Sequence, residues 1–398
     1  MTALSAPPLS VYVHLPWCVR KCPYCDFNSH AVPSAGIPEG AYLAALLEDL
    51  DHAAREAAGR EIVSVFFGGG TPSLFSARAI EAVLARLREL LPVAGEAEVT
   101  LEANPGTVEH GAFAAYRDAG VNRVSLGAQS FDDRRLAALG RIHASGEIDK
   151  AVAELRIAGI DNFNLDLMYG LPGQAPEDAL GDLEHAMALG PAHISHYNLT
   201  LEPGTAFERR PPQLPDEEAV FEMQSSCQQR LAASGFHQYE VSAYAGPGRR
   251  CRHNLNYWEF GDYLGIGAGA HGKVTDAARG RVVRTERVRQ PGRYLAAARA
   301  EERVAGERTI AGSDLAFEFC LNALRLVEGF DEPMFEARTG QPWAAVPGKT
   351  AACGRGLLER TPAGRWAATG QGRLFLNDLQ AMFLPDPAPA GAPVAPGR

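Results

Sequence analysis

The sequence predicts an α/β protein, a partial, TIM-like (βα)6 barrel followed by a smaller, mostly helical C-terminal domain. Short runs rich in β-branched and aromatic residues alternate with helical patterns, which is typical of successive βα units in a parallel sheet. Segments such as YLAALLEDLDHAAREA and ARAIEAVLARLREL repeat apolar residues every three or four positions, as amphipathic helices do. The six candidate strands cover residues 11–16, 61–67, 98–103, 123–128, 162–168 and 193–199.

Polar side chains recur at alternate positions of two predicted strands, where a sheet covered on both faces would carry apolar residues. In NLDLM, Asn164 and Asp166 share one face and the two leucines share the other; in VYVHL, Tyr12 and His14 share a face. If the apolar faces pack under the helices, the polar faces point into the barrel, which would then hold a polar ligand. Taken singly, Asp166 or His14 is better explained by a hydrogen bond to neighbouring backbone.

Composition limits the classes of function. The 398 residues include 38 basic and 48 acidic side chains, for a net charge of −10, and so lack the basic surplus of a nucleic-acid binder. The N-terminus, MTALSAPPLS, has no signal-peptide pattern, and no apolar run is long enough to span a membrane. We therefore expect a cytoplasmic, soluble protein. Seven cysteines, four of them scattered, do not predict a disulfide framework.

The ends of the predicted strands bring polar groups and bare backbone to one mouth of the barrel. Gly68, Gly69 and Gly70 follow the second strand, where the absence of β-carbons allows a ligand to approach the backbone. Glu102 ends the third strand, and Gln129 follows the fourth. Because βα loops all emerge at the C-terminal face of a barrel, these groups should surround a single site.

Three cysteines lie in the loop after the first strand, in HLPWCVRKCPYCDFNSH. Cys18, Cys22 and Cys25 are close enough in sequence for one loop to hold one inorganic centre, but no fourth thiol follows them there. A structural zinc site normally has four protein ligands, and His14 or His30 could complete one. Thiolates suit zinc and iron–sulfur clusters alike, so spacing alone leaves both metals open.

An ordered series of motifs resembles the radical S-adenosylmethionine (radical SAM) superfamily. CVRKCPYC, GGGTPS, EANPGT, GAQSF, GRIH and NLDLMYGLPGQ follow one another as they do in its branch of oxygen-independent coproporphyrinogen III oxidases, over about residues 10–375. The resemblance implies a radical SAM partial barrel and favours iron–sulfur over zinc. It implies that Cys18, Cys22 and Cys25 bind a 4Fe-4S cluster and that S-adenosylmethionine, through its amino and carboxylate groups, is the missing fourth ligand.

The same resemblance gives roles to the polar residues of the mouth. Glu102 and Asp166 could accept hydrogen bonds from ribose or ammonium groups, and Arg141 could pair with a carboxylate, although a surface ion pair is its alternative role. The glycine backbone could meet the methionyl amine. The positions that match those holding S-adenosylmethionine are Tyr12, Gly69, Gly70, Thr71, Glu102, Gln129, Arg141 and Asp166.

Two features depart from the oxidase pattern. The oxidase has a further cysteine two positions after the third, where this chain has Phe27, preceded by Asp26. The first strand begins at about residue 10, which leaves little of the oxidase's N-terminal extension. CPYCDFNSH resembles instead the HemW group of heme chaperones in the same branch.

The segment HNLNYW matches a motif that this group links to heme binding. It combines His253, Tyr257 and Trp258. Imidazole is a common axial ligand of heme iron, and flat aromatic rings can pack on a porphyrin. His271 and Cys251 are secondary candidates, and a structural histidine beside a buried tryptophan is the alternative interpretation of His253.

The sequence divides into four parts. Residues 1–245 should form the barrel, 246–310 a connecting segment with the heme motif, 311–380 a HemN-like, winged-helix-like domain, and 381–398 a disordered tail. Residues 281–308 carry eight arginines and four glutamates, typical of a solvated face, although heme propionates would also suit such charge.

Three functional hypotheses follow. The first is a heme carrier that passes heme to an acceptor of unknown identity, with the cluster and S-adenosylmethionine serving assembly or regulation. The second is an oxidase that decarboxylates the propionates of coproporphyrinogen III, which Phe27 in place of cysteine disfavours. The third is a radical enzyme acting on another small substrate.

Overall fold

The structure, a computed structural model, describes residues 3–57, 59–107 and 112–385. In these ranges the strands are β1 (Leu9–Leu15), β2 (Trp17–Cys18), β3 (His30–Ala31), β4 (Ile62–Gly69), β5 (Val93–Ala103), β6 (Arg123–Gln129), β7 (Phe163–Tyr169), β8 (His193–Asn198), β9 (His237–Glu240), β10 (Ala243–Ala245), β11 (Asp262–Ile266), β12 (His271–Asp276), β13 (Arg281–Arg287), β14 (Val304–Thr309), β15 (Leu358–Arg360) and β16 (Trp366–Ala368).

The helices of the described residues are α1 (Glu39–Ala54), α2 (Ala77–Leu90), α3 (Ala112–Asp118), α4 (Asp133–Ala138), α5 (Ser145–Ile157), α6 (Pro176–Ala188), α7 (Ala206–Arg209), α8 (Glu217–Ala233), α9 (Arg252–Trp258), α10 (Pro291–Ala296), α11 (Gly312–Ala323), α12 (Glu332–Thr339), α13 (Lys349–Gly354), α14 (Gly370–Leu374) and α15 (Leu376–Ala381). Short 3-10 turns cover Arg55–Ala57, Pro72–Leu74, Pro105–Thr107, Ala300–Arg303 and Trp343–Ala345.

One mixed sheet of 12 strands forms the frame of the protein. At its centre, β1, β4, β5, β6, β7 and β8 lie parallel, and their order in space is their order in the chain. Helices connect successive strands, as parallel pairing requires. These are the six strands that the sequence predicts, so the partial barrel of βα units is confirmed.

The sheet continues on both sides of these six strands. β11 lies parallel to β1, with β12, β13 and β14 as further antiparallel neighbours, and β10 and β9 extend the opposite edge. Residues 246–310, expected to be a connecting segment, therefore contribute four strands to the sheet. Their strand pattern is hidden in the sequence by charged residues such as Arg287, which is buried because it meets the remote Asp49.

The two faces of β1 differ as the alternation predicts. Val11 and Val13 are buried in the main apolar core, which also includes Leu165 and Leu167 of β7. Tyr12 and His14, on the other face of β1, line a cavity inside the barrel mouth. The barrel interior is therefore polar at alternate positions, and the apolar faces lie under the helices.

A second core belongs to the C-terminal part of the chain. Phe330 packs edge to face with Phe319 and Trp343, with ring centroids 4.9 and 5.0 Å apart. The ribbon of β15 and β16 follows α13 and precedes α14 and α15. This is the helix, ribbon and helix order of the winged-helix pattern that the sequence predicts.

The chain remains folded beyond residue 381, where the sequence predicts a disordered tail to begin. Helix α15 ends at Ala381, and the buried Phe383 ring stacks near Trp343 of the second core with centroids 6.0 Å apart. The prediction is wrong for residues 381–385 because this aromatic anchor is apparent only once its partner is in place. The remainder of the predicted tail, 386–398, lies outside the described residues.

No helix within the described ranges is long and apolar enough to cross a membrane. All seven cysteines are free, and three of the four scattered ones are buried: Cys227, Cys251 and Cys320.

A buried carboxylate joins α1 to the second half of the sheet. Asp49 Oδ1 accepts a hydrogen bond from Arg287 Nε at 2.7 Å, and Oδ2 accepts from Tyr294 Oη at 2.8 Å and from the Gly267 N–H at 3.0 Å. These partners come 218 to 245 residues later in the chain. Asp49 thus fixes α1 against β13, α10 and the loop between β11 and β12.

We predict that Asp49→Ala lowers the free energy of unfolding by about 3–5 kcal/mol, because it leaves the buried Arg287 charge unpaired. Chemical denaturation of the purified protein measures the change. Asp51→Ala, on the same helix, is the control, since its pair with Arg86 is partly exposed and should contribute far less. Equal losses in the two variants would contradict the structural role of Asp49.

Candidate cluster and cofactor site

The cysteine loop begins where β1 ends and is fastened to two neighbouring segments. β2 pairs with β3 and closes the loop. Within it, the Asn28 carbonyl accepts a hydrogen bond from His14 Nε2 at 2.9 Å, and Asn28 Nδ2 donates to the Ala268 carbonyl at 2.9 Å. The loop is therefore held both to β1 and to the segment between β11 and β12.

His14 is fully occupied by contacts within the protein. Because the Asn28 carbonyl can only accept, the imidazole carries its proton on Nε2, and Nδ1 accepts a hydrogen bond from Tyr12 Oη at 3.0 Å. Burial lowers the pKa of His14 to about 4, so the ring is neutral. With both nitrogens engaged, His14 does not serve as the fourth ligand of a zinc site in this arrangement.

Each thiol of the loop contacts a polar side chain. Arg141 Nη1 lies 3.7 Å from Cys22 Sγ, and Ser29 Oγ lies 3.6 Å from Cys25 Sγ. Burial raises the pKa of Cys18, while a hydrogen bond from Thr71 acts in the opposite direction. A thiolate at Cys25 or Cys22 would raise it further, because both lie near Cys18.

The thiols are neighbours without forming a preassembled metal site. Among residues 3–57, 59–107 and 112–385, no three His, Cys, Asp or Glu side chains have the arrangement of a metal centre. The loop nevertheless carries three thiol donors within eight residues.

The glycines after β4 are required by packing. Gly69 has a φ of +115°, and a β-carbon there would lie 2.5 Å from Cε1 of His14. At Gly70 a β-carbon would lie 2.5 Å from the Trp17 carbonyl oxygen. Close packing of the first strand and its loop therefore already requires glycine at both positions, and the approach of a ligand to this backbone stays a prediction.

Two carboxyl groups, on β5 and β7 either side of β6, influence each other's ionisation in the mouth. Glu102 accepts a hydrogen bond from the Gly69 N–H at 3.1 Å, and burial and then the charge of Asp166 raise its pKa to about 8. Burial also raises the pKa of Asp166, which accepts hydrogen bonds from Ser125 Oγ at 3.0 Å and Asn164 Nδ2 at 2.8 Å. Arg123 lowers the pKa of Asp166, whereas no cation among the described residues does the same for Glu102.

Gln129 and Arg141 approach each other over Gly127. A β-carbon on Gly127 would lie 3.0 Å from Gln129 Nε2 and 3.1 Å from Arg141 Nη2. Gln129 has a φ of +70°, a strained conformation for a residue other than glycine that is often found at functional sites. Arg141 Nη2 donates to the Gly127 carbonyl at 2.8 Å, and its buried Nε has no partner among the described residues.

A cavity of about 410 Å³ opens at this mouth. It joins the first strand, the glycine run and Glu102 to the cysteine loop and the later strands. Its lining consists of Tyr12, His14, Phe27, Asn28, Gly69, Glu102, Tyr257, Gly269, His271 and Arg289. Asn28 and Gly269 are not singled out by the sequence, and Arg289 is singled out only as one of the eight arginines of residues 281–308.

The structure places His253 one layer beneath this cavity. The residue is 4% exposed, its ring stacks on Phe66 with centroids 4.9 Å apart, and its Nδ1 lies 3.2 Å from Ser64 Oγ. Burial lowers its pKa to about 3. Heme contact by His253 stays a prediction, since α9 buries its imidazole against Phe66 and Ser64 and places Tyr257 in the cavity wall.

The two secondary heme candidates differ sharply. His271 is exposed and lines the cavity. Cys251 is fully buried, donates to Glu98 Oε1 at 3.4 Å, and has its pKa raised to about 12 by burial. His271 can meet a ligand directly, and Cys251 cannot.

Comparison with known proteins agrees with this architecture. Residues 12–186 match the radical SAM superfamily model, and residues 310–375 match the HemN C-terminal domain. The chain is 48% identical to the heme chaperone HemW of Escherichia coli, over 95% of this chain and 98% of that protein. It is 46% identical to the heme chaperone HemW of Haemophilus influenzae, over 95% and 98%.

The chain belongs to the HemW family of the radical SAM superfamily. Among solved structures, coproporphyrinogen III oxidase (HemN) from Escherichia coli matches with a TM-score of 0.79 at 22% identity, over 95% of this chain and 90% of that one. At this identity the match establishes the fold. Membership in the radical SAM superfamily implies a 4Fe-4S cluster and S-adenosylmethionine.

The residues of the mouth fit these two groups. The cysteine loop offers soft thiolate donors, which iron–sulfur clusters prefer. The raised pKa of Glu102 marks a carboxyl group that an ammonium donor would stabilise in its charged form. The unpartnered Nε of Arg141 is a buried donor suited to a carboxylate.

We predict that Glu102 makes the ligand-free protein less stable as pH rises. The carboxyl group keeps its proton up to about pH 8 in the folded protein and loses it near pH 4.5 in the unfolded protein. Between these values its ionisation stabilises the unfolded state relative to the folded state. Urea denaturation at about pH 5.5 and about pH 8.5 should show a smaller loss of stability in Glu102→Gln than in the wild type.

Glu96→Gln, at an exposed position of the same strand, is the control and should follow the wild type. If the stability of Glu102→Gln changes with pH as much as that of the wild type and of Glu96→Gln, Glu102 ionises normally in the folded protein.

Proposed function

We propose that the protein is a heme chaperone that binds heme in the cytoplasm and transfers it to an acceptor protein. The observation that carries this proposal is the similarity to proteins named heme chaperone HemW, at 48% identity over 95% of this chain and 98% of the relative. The net charge of −10 gives no support to a nucleic-acid partner.

We also propose that Cys18, Cys22 and Cys25 hold the 4Fe-4S cluster and that S-adenosylmethionine binds beside it. When bound, the cluster supplies the electron that radical SAM enzymes use to cleave S-adenosylmethionine. In a chaperone these groups would serve assembly or regulation. The proposed S-adenosylmethionine contacts are Tyr12, Gly69, Gly70, Thr71, Glu102, Gln129, Arg141 and Asp166.

Different side chains of the mouth would bind different groups of S-adenosylmethionine. Arg141 suits its carboxylate, because a buried guanidinium with an unpartnered Nε gains a charge-assisted hydrogen bond there. Glu102 suits its ammonium group, because the cation would compensate the charge of a carboxylate that the protein leaves unpaired. Asp166 is held in place by Ser125 and Asn164 and can accept from a ribose hydroxyl.

Phe27 supports binding of heme over oxidation of a porphyrinogen. It stands where the oxidase that the chain resembles carries a further cysteine. The residue is 66% exposed, and it lines the cavity. An exposed aromatic ring is costly in water and suits a flat apolar ligand. Oxidative decarboxylation of coproporphyrinogen remains the second candidate, supported by the fold shared with HemN.

His253 is proposed to contact the heme from beneath the cavity. Its ring centroid lies 6.4 Å from that of Tyr12 and 5.9 Å from that of Tyr257, and both of these rings line the cavity. Because burial keeps the imidazole neutral, it is in the form that binds iron. Direct ligation requires the rings above it to move aside.

We predict that Cys22→Ala abolishes the cluster after anaerobic reconstitution with iron and sulfide, because two thiolates cannot replace three. Iron content and the visible absorbance measure the cluster. Cys353→Ala, which removes the exposed free thiol of the C-terminal part, should retain it. An intact cluster in Cys22→Ala, or stoichiometric zinc in protein kept without oxygen, would overturn the assignment.

We predict that His253→Ala weakens or shifts the heme absorbance, whereas Cys22→Ala keeps it, since imidazole and aromatic contacts do not need the cluster. His237→Ala, at an exposed position on β9, should behave as the wild type. Anaerobic titration with hemin followed by absorbance measures all three variants. Unchanged binding in His253→Ala would move the heme contact elsewhere, with His271 next. Conversion of coproporphyrinogen III by the wild type would restore the oxidase hypothesis.

A further inference from the structure

The arginine-rich segment 281–308 is mostly neutralised by the fold. Six of its eight arginines have an acidic partner, in the pairs Arg281–Asp276, Arg284–Glu318, Arg287–Asp49, Arg299–Glu302, Arg303–Glu48 and Arg308–Glu318. Within the described part of the chain, Arg289 and Arg293 have no carboxylate within salt-bridge distance. Of the exposed guanidinium groups on the predicted solvated face, those of Arg289 and Arg293 are therefore left without an acidic partner.

These two arginines differ in position. Arg289 lines the cavity of about 410 Å³, whereas Arg293, exposed on α10, does not. The backbone of Arg289 is fixed there, because its carbonyl accepts a hydrogen bond from Asn28 Nδ2 at 2.9 Å. The same amide group donates to the Ala268 carbonyl, so Arg289 stands at a rim braced by the cysteine loop.

A second free cation stands on the cysteine loop. Lys21 is exposed, and its Nζ donates to the Phe27 carbonyl at 3.0 Å, next to the cavity wall that Phe27 forms. Burial, and then the positive charges of Lys21 and Arg289, lower the pKa of His30, which shows that both cations lie near one imidazole. Acidic groups also lie nearby: Glu286 is 4.0 Å from His271 Nδ1, Glu102 lines the cavity, and the exposed Asp26 precedes Phe27.

The apolar part of the same wall is aromatic. Phe27 and Tyr257 both line the cavity, and Phe27 is largely exposed. Flat rings beside unpaired cations match a flat apolar molecule that carries carboxylates at one edge. Guanidinium and ammonium groups at a cavity rim pair with carboxylates through charge-assisted hydrogen bonds, and guanidinium can do so with two parallel bonds.

We propose that Arg289 and Lys21 form a carboxylate subsite that pairs with the propionates of heme, while Phe27 and Tyr257 contact the macrocycle. This proposal rests on the proposed heme chaperone function. It assigns the orientation of the ligand, with the propionate edge toward the rim between the cysteine loop and the segment after β13.

The test compares Arg289→Gln and Lys21→Gln with Arg293→Gln, the matched exposed and unpaired arginine outside the cavity. Hemin affinity, measured by absorbance titration, should fall at least about tenfold in Arg289→Gln and further in the double variant, and should stay unchanged in Arg293→Gln. Because Lys21 and Arg289 are exposed, circular dichroism should show an intact fold in every variant.

Two further probes separate the carboxylates from the iron. Hemin dimethyl ester lacks the two negative charges, so it should bind the wild type more weakly than hemin does. Its affinity should be the same for Arg289→Gln as for the wild type. Protoporphyrin IX, which has the carboxylates and no iron, should bind Arg289→Gln more weakly than the wild type.

The outcomes distinguish the two proposals. Absence of hemin binding by the wild type would defeat the chaperone function and this subsite together. Hemin binding that is equal in the wild type and in Arg289→Gln, or that falls equally in Arg293→Gln, would overturn the subsite alone.

Discussion

The arrangement of the barrel mouth depends on one buried carboxylate. Asp49 carries its charge where no water can solvate it, and it is tolerated because Arg287, Tyr294 and the Gly267 N–H all donate to it. The neighbouring Tyr42, on the same helix, donates to the His14 carbonyl at 2.9 Å and accepts from the Ala268 N–H at 2.8 Å. Helix α1 thereby holds the end of the first strand and the loop after β11 at a fixed separation. Both elements line the cavity, through His14 and Gly269.

The inside of the barrel has two layers of different chemistry. The upper layer, at the mouth, presents the thiol loop, a carboxyl pair with raised pKa values and a cavity with aromatic and cationic walls. The lower layer is a closed hydrogen-bonded network in which Ser64 contacts His253, and Glu98 accepts from Cys251 and from the His253 N–H. Helix α9 belongs to both layers, since Tyr257 lies in the cavity wall and His253 beneath it. A ligand at the mouth therefore meets this helix first at Tyr257, with the His253 ring behind it.

Much of the fold follows from local sequence patterns. Each central strand is a short apolar run flanked by an amphipathic helix, so the parallel core is apparent from spacing alone. Strands β11 to β14 were missed, because charged residues interrupt their apolar pattern. These charges are buried only because partners neutralise them, as Asp262 does for Lys273, whose Nζ donates to it at 2.8 Å. The end of the folded chain was missed for a similar reason, since Phe383 is an anchor only in the presence of Trp343. A local sequence pattern does not reveal a contact partner that lies in another segment of the chain.

By itself the sequence determined the family, the order of the motifs and the chemical groups carried to the mouth, since these depend on residue type and on spacing along the chain. The tertiary structure decided which of these groups meet. It put His253 beneath the cavity and Arg289 in its wall, and it turned the glycine run against Trp17 and His14. Burial and the pairing of charges are properties of the segments that cover a residue. Those segments come from distant parts of the chain, so exposure and charge at the site became definite only with the fold.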